Sequence, residues 1–442
     1  MNCRTFISKY FYQVFLSCFF SINCLAGIIE DVTPSSAHIV SPTYFGTHIG
    51  HLFLRERDKA LGGRPTSWPD VRVGSIRLWD SSVRWAEIAP KAGDWQFERL
   101  DMFVDKASTE GSDILYTLGS TPRWASVRPD EPCPYGFGCS SPPIRMGHWE
   151  EYVRRVAQRY KGRISAYEIW NEPKLSDFPG DIGAAAFFTG STAELVEMTR
   201  IARKVIKSED PSALILTPGF TNGPARLDQF LRLGGRELVD VVAYHFYSRD
   251  FVQFAQQIQA VREVMAANGV ANIPLWNTET GLEVYLPNEV LPPGATRVTR
   301  EVGAGRMVQY MVLGAAAGLE RFFYYAWDSA RSGMVTATGV RWPSYLAMSR
   351  VTDWLTGSSL QGCKSWGAAG VECLGQKGES KFTIIWHGGD TTKRVTVPVG
   401  YKFSYFQKAF QQSEITIITD SKNNLDVAAG EIPCIYWFVK GN

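Results

Sequence analysis

The stretch Ala166-Tyr167-Glu168-Ile169-Trp170-Asn171-Glu172-Pro173 decides how the rest of the chain is read. Largely apolar and aromatic residues run into a polar pair and then a proline, the pattern of a buried parallel strand surfacing at its carboxyl end. Ile273-Pro274-Leu275-Trp276-Asn277-Thr278-Glu279-Thr280-Gly281 repeats it, an apolar run closing on a carboxylate and a turn glycine. Two acids at two strand ends place the chemistry on one face of a parallel sheet.

Working outward, short β-branched or aromatic runs alternate with longer helical patterns, as parallel βα units require. The predicted strands are Tyr44 to Gly50, Gly74 to Asp80, Asp113 to Leu118, Ile164 to Trp170, Leu214 to Pro218, Val239 to Tyr247, Pro274 to Thr278 and Arg321 to Trp327. Eight is the number a closed barrel needs. Helical spacing is read over Trp149 to Tyr160, Thr192 to Lys207, Phe254 to Asn268, Arg300 to Gly318 and Arg341 to Leu355, with Ser191 or Thr192 as a cap. The alanine- and methionine-rich stripe of the fourth of these helices reads as core packing. Beyond Gly357 the pattern changes to runs bounded by Gly, Asp and Asn: Lys381 to Trp386, Lys393 to Val399, Glu414 to Thr419 and Ile432 to Val439. The expected fold is α/β, a (β/α)8 TIM barrel over 27–357 with a small C-terminal all-β sandwich over 358–442.

With 442 residues, 45% of them hydrophobic, the chain can bury one large core and one smaller one. A formal charge of only +2 excludes a basic nucleic-acid surface, while 14 Trp and 18 Tyr suit flat sugar rings. Arg4 and Lys9, an apolar run from Phe11 to Ile22, and Cys24-Leu25-Ala26 before Gly27 read as an export signal over 1–26, with an uncleaved anchor as the competing reading. The mature protein is then secreted or periplasmic, with no membrane contact beyond that segment, and a monomer is expected. Five cysteines remain after cleavage, in an oxidising compartment. Cys133 and Cys139 bracket a turn-rich loop, Cys363 and Cys373 flank a second, and Cys434 is left over; the spacing alone does not settle their pairing.

Two carboxyls about 5–5.5 Å apart can cut a glycosidic bond with retention, one protonating the leaving oxygen and one attacking the anomeric carbon. Glu172 and Glu279, after the fourth and seventh predicted strands, are the candidates. Trp170 and Pro173 are positioned to form an apolar wall that raises the proton affinity of Glu172. Arg77, ending the second strand between Ile76 and Leu78, is placed to keep Glu279 charged. A lone Asn-Glu-Pro is often a surface turn and a lone strand-end glutamate often an ion-pair partner; it is their joint placement that favours function.

These residues, Asn171-Glu172-Pro173 after strand four and Glu279 after strand seven, resemble the retaining glycoside hydrolases built on (β/α)8 barrels. Asp94-Trp95-Gln96-Phe97 with Leu100-Asp101, Leu118 through Trp124, and Arg341-Trp342-Pro343 through Gly357 resemble further parts of that superfamily. Within it the chain looks most like family 39, in particular bacterial enzymes that cut exopolysaccharides. The resemblance implies Glu172 as acid/base, Glu279 as nucleophile, Asn171 on a sugar 2-hydroxyl, and His245 and Tyr247 orienting the nucleophile and the substrate. It implies a poly- or oligosaccharide substrate, β-linked, and no cofactor.

Other residues carry rival readings. Trp327 ends strand eight and either floors a sugar subsite or packs under a lid; Trp124 is similar, and Trp79 weaker. His48, His51 and His245 form three imidazoles near one mouth, but metal sites usually show tighter spacing, so no metal is expected and His48 is assigned to a sugar hydroxyl. No cysteine sits at a strand end beside a histidine, which disfavours a thiol nucleophile. A transglycosylase using the same covalent intermediate and a non-catalytic polysaccharide-binding barrel are the alternatives.

Overall fold

The computed structural model describes residues 32, 38–53, 64–181, 186–282, 284, 290–291, 297–329, 331–410 and 424–441. The expected export segment, the predicted strand Glu414 to Thr419 and most of 283–296 lie outside them. Eight parallel strands form the barrel: β1 (Phe45–His48), β2 (Ser75–Leu78), β3 (Asp113–Leu118), β4 (Ala166–Ile169), β5 (Leu214–Leu216), β6 (Val242–His245), β7 (Leu275–Thr280) and β8 (Arg321–Tyr324). Hydrogen-bonded neighbours run β5-β4-β3-β2-β1-β8-β7-β6. The ring closes through the bridges Leu216–Val241 and Phe220–Tyr244, with Thr217 N–H donating to Val241 O at 3.1 Å. Each strand falls within its predicted run, except that β7 extends two residues beyond Thr278.

The strands are almost wholly buried because helices cover the outer face and side chains fill the inside. Leu115, Ala166, Leu216, Val241, Ala243, Trp276 and Phe323 form the inner core beneath the mouth. The main helices are α1 (Glu98–Glu110), α2 (Met146–Arg159), α3 (Thr192–Glu209), α4 (Ala225–Arg232), α5 (Phe251–Ala267), α6 (Arg300–Ala316) and α7 (Pro343–Leu355). Ser191 caps α3: its hydroxyl accepts from Glu194 N at 3.2 Å, and the Glu194 carboxylate accepts from Ser191 N at 2.7 Å. Helix α6 is buried along nearly its whole length from Gly303, the core-packing role expected of its Ala/Met stripe.

Past α7 the chain builds β9 (Ser358–Trp366), β10 (Gly370–Lys377), β11 (Ser380–His387), β12 (Thr391–Thr396), β13 (Tyr401–Lys408), β14 (Asn424–Ala429) and β15 (Cys434–Lys440). A five-stranded antiparallel sheet, β9-β10-β11-β15-β13, faces the pair β12-β14. Ile385, Val395, Leu425, Val427 and Phe438 pack between the two layers, so the C-terminal unit is a β-sandwich. Its other face joins the barrel core through Val371, Phe382, Ile384 and Trp386. Trp354 on α7 donates to Gln407 at 2.9 Å, and Gln309 on α6 donates to the Glu431 carbonyl at 2.8 Å. The sandwich therefore braces the α6–α7 side. The edge strand β9 is covered in turn by the segment leading into β1: Val32 and Cys363 exchange backbone hydrogen bonds at 2.9 and 2.8 Å.

Cys133–Cys139 and Cys363–Cys373 are disulfide-bonded, and Cys434 is free and buried. Burial pushes its thiol up to about 11, which leaves it protonated and unreactive at neutral pH.

Candidate active site

Arg77, the third residue of β2, is fully buried in the barrel and organises the site. A buried guanidinium needs carboxylates around it, and two supply them. Its Nε and Nη2 donate to one oxygen of Glu168 at 2.8 and 2.5 Å, and its Nη1 donates to Glu279 Oε2 at 2.8 Å. Nη2 also donates to Asn171 Oδ1 at 2.7 Å. Thr117 on β3 adds a hydroxyl donor to Glu168 at 2.8 Å. Glu168 thus lies beneath the mouth with one oxygen held by Arg77 and Thr117.

Glu279 reaches Arg77 through an irregularity in β7. Tyr244 pairs with Asn277 and His245 with Glu279, so Thr278 is an extra residue, and the same slip appears against β8. A bulge of this kind bends the strand and re-aims the following side chain, here into the mouth. Tyr247 then donates its hydroxyl to Glu279 Oε1 at 2.7 Å. Burial, with the Glu279 charge beside it, pushes that phenol far above its ordinary range, so it stays a donor.

Glu172 is positioned by backbone geometry. Trp170 and Glu172 both adopt positive φ, +73° and +37°, at a cost of order 1–3 kcal/mol each for side chains other than glycine. The bridge Asn171–Gly219 and the hydrogen bond from Glu172 N to Gly219 O at 3.0 Å hold this turn against the β5 end. His245, closing β6, faces Glu172 Oε1 through Nδ1 at 2.9 Å and lies 4.0 Å from Glu279 Oε2. One oxygen each of Glu172 and Glu279 and a nitrogen of His245 lie within 4.8 Å of one another. The fold therefore brings the two sequence-remote carboxylates together over one opening.

Their proton affinities do not follow the sequence reading. Burial raises Glu172, but the hydrogen bond and charge of His245, with Arg77, outweigh it and hold the carboxyl below its usual range. Burial also raises Glu279, and there His245 and Arg77 do not fully offset it while Glu172 adds repulsion. In the empty site Glu279 therefore holds a proton more tightly than Glu172 does. The raised proton affinity expected for Glu172 is therefore not found, although burial acts in the expected direction. Trp170 is fully buried, packs edge-on against Phe188 at 4.9 Å and donates to the Phe187 carbonyl.

Comparison with solved structures gives the fold its context. A family 39 glycoside hydrolase from the gut symbiont Bacteroides cellulosilyticus WH2 superposes with a TM-score of 0.67 at 16% identity, covering 91% of this chain and 82% of that one. A glucosidase from Croceicoccus marinus gives 0.60 at 13% identity, with 94% and 98% covered. A family 30 endoxylanase from Clostridium papyrosolvens C71 gives 0.60 at 12%, with 92% and 98% covered. The architecture is shared with glycoside hydrolases of several families. No protein-family model matches the chain.

Of the remaining predicted residues, Arg77, Asn171, His245 and Tyr247 join the acid pair. His48 is buried, and its Nε2 donates to the Thr278 carbonyl at 3.1 Å, at the β7 bulge. Burial, with Arg77 nearby, drives that imidazole well below its ordinary range, so it is neutral. Trp327 is corrected to a packing residue: it is 0% exposed, donates to the Ser67 carbonyl at 2.8 Å and packs against Tyr345. Strand β8 ends at Tyr324, so Tyr325 and not Trp327 is the aromatic at the mouth, its ring 5.0 Å from that of His48. Trp124 donates to the Ala89 carbonyl and lies edge-on to His148 of α2, away from the acid pair's contacts.

The three imidazoles weighed as a metal set are not grouped, because His51 turns to Asp328 and His48 to a carbonyl. Glu172, His245 and Glu279 have cation-like spacing, but the Arg77 guanidinium bonded to Glu279 opposes a metal ion there. Sequence reading missed Glu168, although its place two residues before Trp170 puts it on the inward face of β4. It also missed Gly219, where an added Cβ would lie 2.5 Å from His245 Nε2 and 2.9 Å from Glu168 Oε1.

Proposed function

We propose that the chain is an exported retaining glycoside hydrolase acting on β-linked poly- or oligosaccharides, bacterial exopolysaccharides among them. The observation that carries this reading is the approach of Glu172 and Glu279 within 4.8 Å across one mouth, close to the separation of about 5–5.5 Å that direct attack on a sugar needs. Glu279, held by Arg77 and Tyr247, is the nucleophile that attacks the anomeric carbon. Glu172, whose side chain remains 23% exposed, reaches the cleft and protonates the departing oxygen. It then deprotonates the water that releases the glycosyl-enzyme.

The reactive form needs the proton on Glu172 and the charge on Glu279, the reverse of the order of proton affinities in the empty pair. Sugar entering the cleft strips the remaining water from Glu172 and so favours its protonated form. Asn171, locked by Arg77, presents its amide to the sugar 2-hydroxyl. The two disulfides support export, since such bonds persist in oxidising compartments. Among the described residues no helix is long and apolar enough to cross a membrane.

The test is Glu279→Gln on a panel of β-linked oligosaccharides. Turnover is expected to fall by at least about a thousandfold with the circular dichroism spectrum retained. Wild-type activity in that variant removes the nucleophile assignment.

A further inference from the structure

Resting on that glycosidase reading, we propose that Asp80, gripped between Tyr325 and Tyr135, is a hydroxyl-reading subsite for the sugar on the glycone side of the cleft. The loop closed by the Cys133–Cys139 disulfide holds Tyr135 in that subsite.

Asp80 follows β2 by two residues, and Tyr325 follows β8 directly. Glu279 on β7 attacks the glycone, so that sugar lies over the neighbouring β8, β1 and β2 ends, while the leaving group departs toward Glu172 on β4. Tyr325 donates to Asp80 Oδ2 at 3.0 Å, and Tyr135 donates to Oδ1 at 2.7 Å. The Tyr135 oxygen accepts in turn from Trp79 Nε1 at 2.8 Å, which commits its one hydrogen to Asp80. A carboxylate accepts about four hydrogen bonds, so roughly two remain. The Asp80 side chain is 32% exposed, so those positions are open to a ligand.

The neighbours set the chemistry of that ligand. The Arg84 guanidinium stacks over the Tyr135 ring with 3.4 Å to its centroid, but its bonds to the Glu87 carboxylate occupy it, and it meets Asp80 only at 3.5 Å. Asp80 therefore offers its oxygens mainly as acceptors, and a sugar presenting free hydroxyls as donors fits them. Tyr135 itself is 37% exposed and sits in a loop anchored by the disulfide, the two-residue hairpin Pro132–Cys133 with Gly136–Phe137, and the bond from Gly138 N to Glu131 O at 2.7 Å. Phe187 packs against it at 5.7 Å, so the loop forms an aromatic wall at this end.

The experiment first finds the preferred glycone among the p-nitrophenyl β-glycosides of glucose, galactose, mannose and xylose. It then compares that glycoside with its 3-, 4- and, for hexoses, 6-deoxy analogues in wild type and in Asp80→Asn. For one position, deletion is expected to cost wild type about tenfold to a hundredfold in kcat/KM, the scale of a hydrogen bond to a charged group, and to cost Asp80→Asn less than about threefold. Tyr135→Phe, which keeps the ring and drops the hydroxyl, and the Cys133→Ser/Cys139→Ser pair are expected to shrink the same penalty in part. Equal deoxy penalties in wild type and all variants overturn the subsite while leaving the glycosidase reading standing. If wild type hydrolyses none of the glycosides but cuts the β-linked oligosaccharides, the subsite is overturned and the glycosidase reading stands; if it cuts neither, both fail.

Discussion

At the residue scale the site turns on how two carboxylates share one proton. His245 pulls Glu172 down and burial lifts Glu279, so kcat/KM should follow a bell whose limbs belong to the pair and not to either residue alone. Removing the His245 contact destabilises ionised Glu172 and raises its proton affinity. In His245→Asn the basic limb of the kcat/KM profile is therefore expected to move to higher pH; a limb that stays in place contradicts the assigned role of His245. Arg77 lends itself to a stability test. It compensates Glu168 and Glu279 inside the barrel, and removing one partner of a buried charge pair costs about 3–5 kcal/mol. Arg77→Met is expected to lose stability of that order in urea denaturation at neutral pH and to recover part of it in acid, where the stranded carboxylates protonate.

At the scale of elements, the barrel strands were legible because hydrophobic runs buried on both faces end in recognisable polar and proline signals. The fine geometry of their ends was not. The extra residue Thr278 in β7 and the left-handed turns at Trp170 and Glu172 depend on partners in other strands, and a linear pattern does not carry them. Nor does the pattern show that Trp327, three residues past the end of β8, is fully buried against Tyr345. Gly219 belongs to the same level. A methyl group there would collide with the His245 ring, so Gly219→Ala is expected to lower kcat at least about tenfold while the far-ultraviolet circular dichroism spectrum is kept. Unaltered kcat contradicts the tight packing of His245 against the β5 end.

At the scale of the whole molecule, the barrel and the sandwich share one apolar core across α6 and α7. The sandwich was legible only in part. Lys381 to Trp386, Lys393 to Val399 and Ile432 to Val439 overlap β11, β12 and β15; β9 and β10 escaped because glycine, cysteine and charged residues interrupt their alternation, whereas β13 and β14 do alternate and were overlooked. The Cys363–Cys373 bond ties β9 to β10 at the edge that also receives the segment leading into β1. Cys363→Ser/Cys373→Ser is expected to lose about 2–3 kcal/mol, the entropic worth of so short a loop, as a lower midpoint in thermal denaturation; an unshifted midpoint contradicts that bracing role. In the proposed function, this architecture holds two distant acids against one sugar. The most direct measurement of that claim follows the first-formed product from a β-linked oligosaccharide by proton NMR before mutarotation. The β-anomer is expected, since attack by one carboxylate followed by water on the same face restores the starting configuration. The α-anomer would mean that water attacks directly and that Glu279 never bonds to the sugar, which contradicts the account.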